Sequence, residues 1–404
     1  MRILLVHNNY LIKGGGEVFY HEIGRTLKAN GHSVAYFSCQ EDGLDVSNVD
    51  DFPSAVEYNK GNILQKLCRL PMAIYNHNSR EAMAQKIASF KPDLIHVFSV
   101  HVRLTPSVLD AARDASIPVV MSCNDYAHIC PNYKLYHHGR ICYECKGNKY
   151  YRALINRCCH DSFAYSAAGA LEAYIHNWLN IWKKNISCFL FASKFVAKKT
   201  VEFWGKGSVK IDYLRNPFDL DKYYVKQNVG RYILYFGRLV EEKGVDILLK
   251  AAKLASQVQI IIVGDGPDRK KLEFYARYIK NVRFVGPAWG EELSQWLYDA
   301  RVVVVPSLWH ENFPYVILQA FAASKPVIGA NRGGIPELLC AGSHGWLYDA
   351  EDEKSLARVI SEVFLLPDSI ISEMGARAYQ YVAHEFTDEV IYRRLHSIYK
   401  GVLV

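Results

Sequence analysis

The sequence has no long hydrophobic run. Across its 404 residues no apolar stretch reaches the roughly 18 that a membrane-spanning helix needs. The opening MRILLVHNNY turns polar too soon for a secretion signal. The chain is therefore expected to work in the cytoplasm, without a membrane span. Low-complexity segments and short internal repeats are missing too, which argues against solenoids and tail-dominated proteins. No helix-turn-helix, zinc-finger array or RNA-binding pattern stands out. Nucleic acid is not an expected partner, although the formal net charge is +7.

What is present suffices for two domains. A chain of this length exceeds one ordinary core, and 50% hydrophobic residues can fill two. The charge is placed unevenly: Lys and Arg exceed Asp and Glu by 8 through Arg215 and fall short by 1 beyond it. A basic first half suits a phosphorylated acceptor, or peripheral contact with the anionic inner face of a cell membrane.

Strand-like and helix-like segments alternate in both halves. Arg2 to His7 predicts a first strand, Glu17 to Asn30 a helix, and His32 to Ser38 a second strand. Between the first two stands Gly14-Gly15-Gly16-Glu17, a turn whose bare backbone can approach a phosphate at a helix amino end. Tyr58 to Phe90 predicts a helix with Leu64, Leu67, Ile74 and Ile87 in the core, Lys91 to Val97 a loop and third strand, and Ile117 to Met121 a fourth. His96 and His101 fall near a strand end, and Asn124-Asp125 just beyond the fourth strand, where ligands of open α/β sheets gather. Cys188 to Ala192 and Val209 to Leu214 complete the first half. After Arg215-Asn216-Pro217 the alternation restarts with strands at Arg231 to Phe236 and Val258 to Val263, and helices at Lys243 to Ser256 and Pro267 to Lys280. Helices then run from Ser355 to Glu385 and from Thr387 through Ile391, Leu395 and Tyr399; the last can cross back onto the first domain. The pattern predicts parallel, doubly wound sheets. Its domains are 1–215, 216–385 and a closing helix at 386–404 that returns to the first.

Two loops of the second half carry the chemistry. Gly237-Arg238 and Lys243-Gly244 join its first strand to its first helix, so two cations five residues apart can converge on a diphosphate while Gly237 leaves room. Val302 to Val305 reads as a strand covered on both faces. It leads to Glu311, Asn312 and Phe313, just before the apolar helix YVILQAFAAS. Gln319 lies inside that helix, where an amide without a partner costs about 1–3 kcal/mol. It needs a hydrogen-bond partner from protein or ligand.

Six of the ten cysteines fall between Cys123 and Cys159, in a loop spanning 123–160. Cys142 and Cys145 are spaced for one metal, and Cys130 with Cys158 or Cys159 can complete a tetrahedral structural zinc site; ordinary cytosolic thiols are the alternative. Arg152 to Trp182 reads as amphipathic helix rich in Tyr, Trp and Ala. It suits either packing on its own domain or a membrane interface with Trp178 and Trp182 at headgroup level.

Taken together these residues resemble a known family. Gly14-Gly15-x-Glu17, Gly31-His32-x-Val34, Lys91-Pro92-Asp93, Gly237-Arg238 with Lys243-Gly244, Gly264-x-Gly266, Glu311 and Gly333-Gly334-x-Pro336-Glu337 stand in the order found in retaining glycosyltransferases of family 4. The resemblance covers nearly the whole chain. It implies a GT-B fold, with two Rossmann-like domains facing a central cleft, a nucleotide-sugar donor such as a UDP- or GDP-sugar on the second, and an acceptor on the first; the basic first half and the aromatic helix near it point to a lipid-linked saccharide as that acceptor. By that resemblance Arg238 and Lys243 hold the diphosphate, Gly15 and Gly16 approach it, and Glu311 touches the transferred sugar with backbone N–H groups around Asn312 and Phe313. Asn124, Asp125 and His96 fall on the acceptor or sugar side. Gln319 stands where the family places an acid on the nucleotide ribose, and Asn124 where many relatives have a histidine. No catalytic cofactor is implied. The product would be a bacterial surface polysaccharide such as a capsule or O-antigen. A catalytically impaired scaffold, or a nucleotide-sugar 2-epimerase on the same fold, are the alternatives.

Overall fold

The computed structural model describes residues 1–12, 14–44, 52–55, 63–224 and 229–403. It divides into two compact units. The first comprises 1–135, 143–217 and 388–404, and the second 136–142 and 218–387.

The sheet of the first unit is built from β1 (Arg2–His7), β2 (Ser33–Phe37), β3 (Leu94–Ser99), β4 (Val119–Cys123), and then β7 (Cys188–Phe191) and β8 (Ile211–Tyr213). All pairs are parallel, in the order β2-β1-β3-β4-β7-β8. Successive side chains of a strand point to opposite faces, and β1 fills both. Leu4 and Val6 join Val97, Met121 and Phe189 on one side. Ile3 and Leu5 join Phe19, Tyr20 and Leu190 on the other, where Ile391, Leu395 and Tyr399 of the closing helix Asp388–Leu403 also pack. Arg25 pairs with Asp388 at 2.5 Å near the start of that helix.

Between β4 and β7 the chain makes a small antiparallel hairpin, β5 (Tyr136–His137) and β6 (Arg140–Ile141), which groups with the second unit. The sheet of the second unit contains β9 (Tyr232–Phe236), β10 (Gln259–Val263), β11 (Val282–Gly286), β12 (Val302–Val305), β13 (Val327–Ala330) and β14 (Gly345–Tyr348). They run parallel in the order β11-β10-β9-β12-β13-β14. The four valines of β12 are all buried, as a strand covered on both faces requires. In open α/β sheets the crevice lies at the carboxyl ends of the strands flanking the point where the winding reverses. That point falls between β1 and β3 in the first unit and between β9 and β12 in the second.

Several long helical segments are broken. Of the helix expected from Tyr58 to Phe90, residues 58–62 and the side chains of Leu64 and Leu67 lie outside the described residues. The remainder is two helices, Ile63–Ile74 and His77–Phe90, because Asn76 caps the second through Ser79 N and is itself held by Thr105 Oγ1 at 2.9 Å. Arg152 to Trp182 becomes Tyr151–Ile155, Phe163–Trp178 and Ile181–Asn185. Arg157, His160 and Asp161 take positive φ, and Ser162 then caps the middle helix. Pro367 separates Glu353–Leu365 from Asp368–Glu385. Strands β11 and β14 and the hairpin carry no strong signal in the sequence.

Candidate functional site

The second unit assembles its residues where β9 and β12 end. After β9 a short 3-10 turn, Glu241–Lys243, delivers Lys243, and Gly244 follows at φ +68. That left-handed conformation favours glycine, and a side chain there would place its Cβ 2.0 Å from the Pro306 carbonyl oxygen beyond β12. The two loops can approach so closely only at a glycine. Leu308 N donates to Glu242 O at 2.9 Å and ties them further.

Glu311 is consequently within reach of Lys243. Its buried Oε1 accepts from Lys243 Nζ at 2.7 Å and from Ser307 Oγ at 2.7 Å. Burial alone would push its carboxyl pKa up, but the Lys243 ammonium and the Ser307 hydroxyl outweigh this and hold it below the ordinary value. Glu311 therefore stays ionised at neutral pH. The backbone of Glu311 is clasped by the turn after β13. Gly334 N donates to Glu311 O at 2.7 Å, and Gly333, at φ +61, sits where a Cβ would fall 2.5 Å from the same oxygen. Arg332 Nη1 donates to Leu308 O at 2.8 Å and fixes the start of the loop. Asn312 and Phe313 are buried just ahead of the helix Tyr315–Ala322.

Gln319 has a protein partner: its Nε2 donates to Tyr223 Oη at 3.1 Å, and Tyr223 stacks on Phe218 at 5.3 Å. Gly237, at φ +149, opens the first loop. Arg238 is exposed, and its guanidinium makes no hydrogen bond or ion pair among the described residues. Arg238 and Lys243 are thus one open cation and one engaged with a carboxylate, on the same loop.

In the first unit, Gly15 and Gly16 form the amino end of the helix Gly15–Ala29. A Cβ on Gly16 would lie 3.5 Å from His7 Nε2, which puts the glycine turn directly over the end of β1. Asn9 N donates to His7 Nδ1 at 3.0 Å, and Asn9 Nδ2 to Glu17 Oε1 at 2.9 Å. Asp125, beyond β4, is close enough to His7 for the two to influence each other. Burial lowers the His7 pKa against the opposing pull of Glu17 and Asp125. Burial also raises the Asp125 carboxyl, against the Ala127 N–H bonded to it at 2.9 Å and the charge of His7. Next to it the buried Asn124 Nδ2 has no acceptor among the described residues. A cavity of about 90 Å³ follows, lined by His101, His128, Glu172, His176 and Trp182 among others. There burial pushes Glu172 up to about 8. His176 Nε2 must carry the ring proton, since it bonds the Ile74 carbonyl at 2.8 Å, and its Nδ1 stands 3.8 Å from Glu172 Oε1.

One expected assignment needs correction. His96 does not face a ligand. It is fully buried in the sheet, its ring nitrogens bonded to Tyr399 Oη at 2.7 Å and Ser122 Oγ at 2.8 Å, because a side chain in the middle of β3 points into a face covered by the closing helix. Of the proposed zinc ligands, Cys145 and Cys158 pack in one cluster and Cys130 influences the Cys158 thiol, but among the described residues no three of the sulfurs of Cys130, Cys142, Cys145 and Cys158 lie within 4.8 Å of one another, whereas His137, Cys142 and Glu144 do. Cys130 donates to Asn132 Oδ1 at 3.3 Å, and Cys145 packs with Tyr150, Ala153 and Ala170. Cys142 ends the hairpin, within 4.8 Å of a His137 ring nitrogen. The residues that sequence reasoning missed are His7, Ser307 and Tyr223. The first two stand at strand ends and could have been flagged by position. Tyr223 reaches Gln319 across 96 residues and gives no local signal.

Residues 13–222 match the family described as Glycosyltransferase Family 4, and residues 220–381 match Glycosyl transferases group 1. The chain belongs to glycosyltransferase family 4. Its relatives include a GDP-mannose-dependent alpha-mannosyltransferase of Corynebacterium glutamicum, 29% identical over 320 residues, which cover 78% of this chain and 69% of that protein. An uncharacterised protein of the cps region of Klebsiella pneumoniae is 24% identical over 84% of this chain and 87% of its own length. Three other relatives are matched over only 44–49% of their length. Among solved structures, Anabaena HepE in complex with UDP and glucose superposes with a TM-score of 0.69 at 17% identity, covering 99% of this chain and all of that one. The fold of this glycosyltransferase is accordingly the two-domain GT-B type.

Proposed function

We propose that this glycosyltransferase moves a sugar from a UDP- or GDP-linked donor to a lipid-carried saccharide acceptor, with retention at the anomeric carbon, in the synthesis of a bacterial surface polysaccharide. The observation that carries the reading is the group Lys243–Glu311–Ser307, set at the carboxyl ends of β9 and β12 beside the open guanidinium of Arg238. An ionised, buried carboxylate accepts hydrogen bonds from sugar hydroxyls, and cations on the adjoining loop suit a diphosphate. The GDP-mannose of the Corynebacterium relative and the UDP bound by the Anabaena protein support this donor class. The cps-region relative supports the polysaccharide context.

In the proposed step the bond from the anomeric carbon to the diphosphate oxygen breaks, and its electron pair stays on that oxygen. The acceptor hydroxyl oxygen bonds the same carbon from the same face, and its proton passes to the departing phosphate. The charge that grows on the leaving group is what Arg238 and Lys243 stabilise. On the acceptor side, Asn124 offers an N–H, and Asp125 a carboxyl that burial holds towards its neutral form.

A thermal-shift screen against UDP, GDP, CMP and ADP sugars, repeated with Glu311→Ala and Arg238→Ala, tests the reading. One donor should stabilise the wild type and lose that effect in both variants. No response to any donor would leave the scaffold alternative in its place. NMR of the product anomer checks retention.

A further inference from the structure

Six of the large hydrophobic side chains that the first unit exposes belong to one region. The helix Phe163–Trp178 buries Ser166, Ala170 and His176 and turns Phe163, Leu171, Tyr174 and Trp178 outward. Those four stand eight, three and four residues apart, about two turns and then one and one, so they form a single stripe. Trp178 is 82% exposed and Phe163 60%, whereas Trp182, on the next short helix, is 7% exposed and belongs to the core. The neighbouring helix Tyr151–Ile155 packs against this one and adds Tyr151 and Ile155, the latter 62% exposed. Tyr151 N donates to Tyr174 Oη at 3.3 Å, so the two exposed faces are joined.

Basic groups outnumber acidic ones around this face, where Asp161 and Glu144 are the acids. Lys146, Lys149 and Arg157 are exposed and make no ion pair among the described residues. Arg152 lies over the Tyr151 ring at 5.4 Å and reaches Glu144 only at 3.9 Å. Burial holds the acid and the histidine of the long helix towards their neutral forms, raising Glu172 and lowering His176.

We propose that the exposed face of Phe163–Trp178 with Tyr151 and Ile155, flanked by Lys146, Lys149, Arg152 and Arg157, is a docking surface for an anionic lipid bilayer. No helix of the described residues is long and apolar enough to cross a membrane. A 16-residue helix, about 24 Å long, instead lies in the plane of the interface, with its aromatic rings at headgroup depth and its cations against lipid phosphates. A second copy of the chain suits the face less well, since a two-fold contact presents the same patch on both subunits and sets cation against cation. The inference deepens the lipid-carried acceptor proposed above and rests on it for its role in the reaction. The surface can nevertheless be tested without turnover.

Flotation of the full chain with vesicles of phosphatidylcholine alone, and with vesicles enriched in phosphatidylglycerol, provides that test. The wild type should float with the anionic vesicles and stay largely behind with the neutral ones. Phe163→Ser/Trp178→Ser and, separately, Lys146→Glu/Lys149→Glu should each weaken the partition by at least about tenfold, from roughly 1 kcal/mol per cation. Circular dichroism and donor-induced thermal shift should match the wild type in both variants. The charge variant leaves the apolar face intact, so it carries the test if the apolar variant fails to fold. The proposal is overturned if the wild type ignores anionic vesicles, if both variants float as well as the wild type, or if sedimentation shows a dimer that Trp178→Ser dissolves. Vesicle binding with no response to any donor sugar would retain the surface and discard the transferase reading.

Discussion

The two units reach similar sheets with opposite electrostatic habits. In the second, the crevice at β9 and β12 keeps its charges: Lys243 and Glu311 are paired at 2.7 Å, Ser307 supports the carboxylate, and Arg238 stands open on the same loop. In the first, the crevice at β1, β3 and β4 suppresses charge. Burial lowers His7, raises Asp125 and pushes Glu172 up to about 8, while Asn124 presents a neutral amide. A site kept ionised suits an anionic leaving group, and one kept neutral suits hydroxyls. The difference follows from which groups were desolvated with a partner and which without one.

Removing the pairing in the second unit should have the largest effect. Lys243→Ala leaves a buried carboxylate without its counter-ion, so turnover should fall by at least about tenfold. The unit should also lose stability, because an uncompensated buried charge is costly. Adding Glu311→Gln should restore the denaturation midpoint but not the turnover. Recovery of both would break the comparison, since the pair would then be structural alone.

Acid should separate the units next. His96 and His128 are lowered to about 3, and His101 and His176 to about 4, all by burial and all in the first unit. Their folded values lie below the ordinary 6.5, so below that pH the unfolded chain binds more protons. Stability is therefore complete above about pH 6.5 and is lost as pH falls towards 4, by about 1–2 kcal/mol for each histidine by pH 5. Hydrogen exchange at pH 7 and pH 5 should show loss of protection in β3 and β4 before β9 and β12. A uniform loss across both sheets would contradict the assignment.

Gly333→Ala probes the clasp on Glu311. It forces a side chain into a left-handed conformation against the Glu311 backbone, and should cost about 1–3 kcal/mol of stability. Its donor affinity should fall as well, as read by thermal shift. The smallest effect is expected from Gln319→Glu, a gain of a few-fold in donor affinity, from about 1 kcal/mol for a charged over a neutral hydrogen bond. Calorimetric titration with the donor measures it. An unchanged affinity would mean that the bond from Gln319 to Tyr223 Oη serves the fold alone.

Much of the architecture was legible because burial writes itself into periodicity. Val302 to Val305 announced a covered strand, Arg2 to His7 another, and Ile391, Leu395 and Tyr399 a helix with one apolar stripe. Strands β11 and β14 were not legible: Val282–Gly286 is largely half-exposed and carries Arg283, and Gly345–Tyr348 is too short for an alternation to show. Helix breaks at Asn76 and at 156–162 were missed because each depends on a cap or a contact from elsewhere. His96 was misplaced because closeness to a strand end in the sequence does not reveal which face a side chain takes.

The sequence by itself determined that two parallel sheets would form, and that Arg238, Lys243 and Glu311 would lie at strand ends, because strand, glycine turn and helix follow from local residue order. Only the tertiary structure decided the pairings. It brought Glu311 to Lys243 and Ser307, gave Gln319 to Tyr223, sealed His96 beneath the closing helix, and left Trp178 exposed while burying Trp182. Local order fixes where a residue stands along the chain. Its charge state, its partner and its exposure depend on what the rest of the chain places around it.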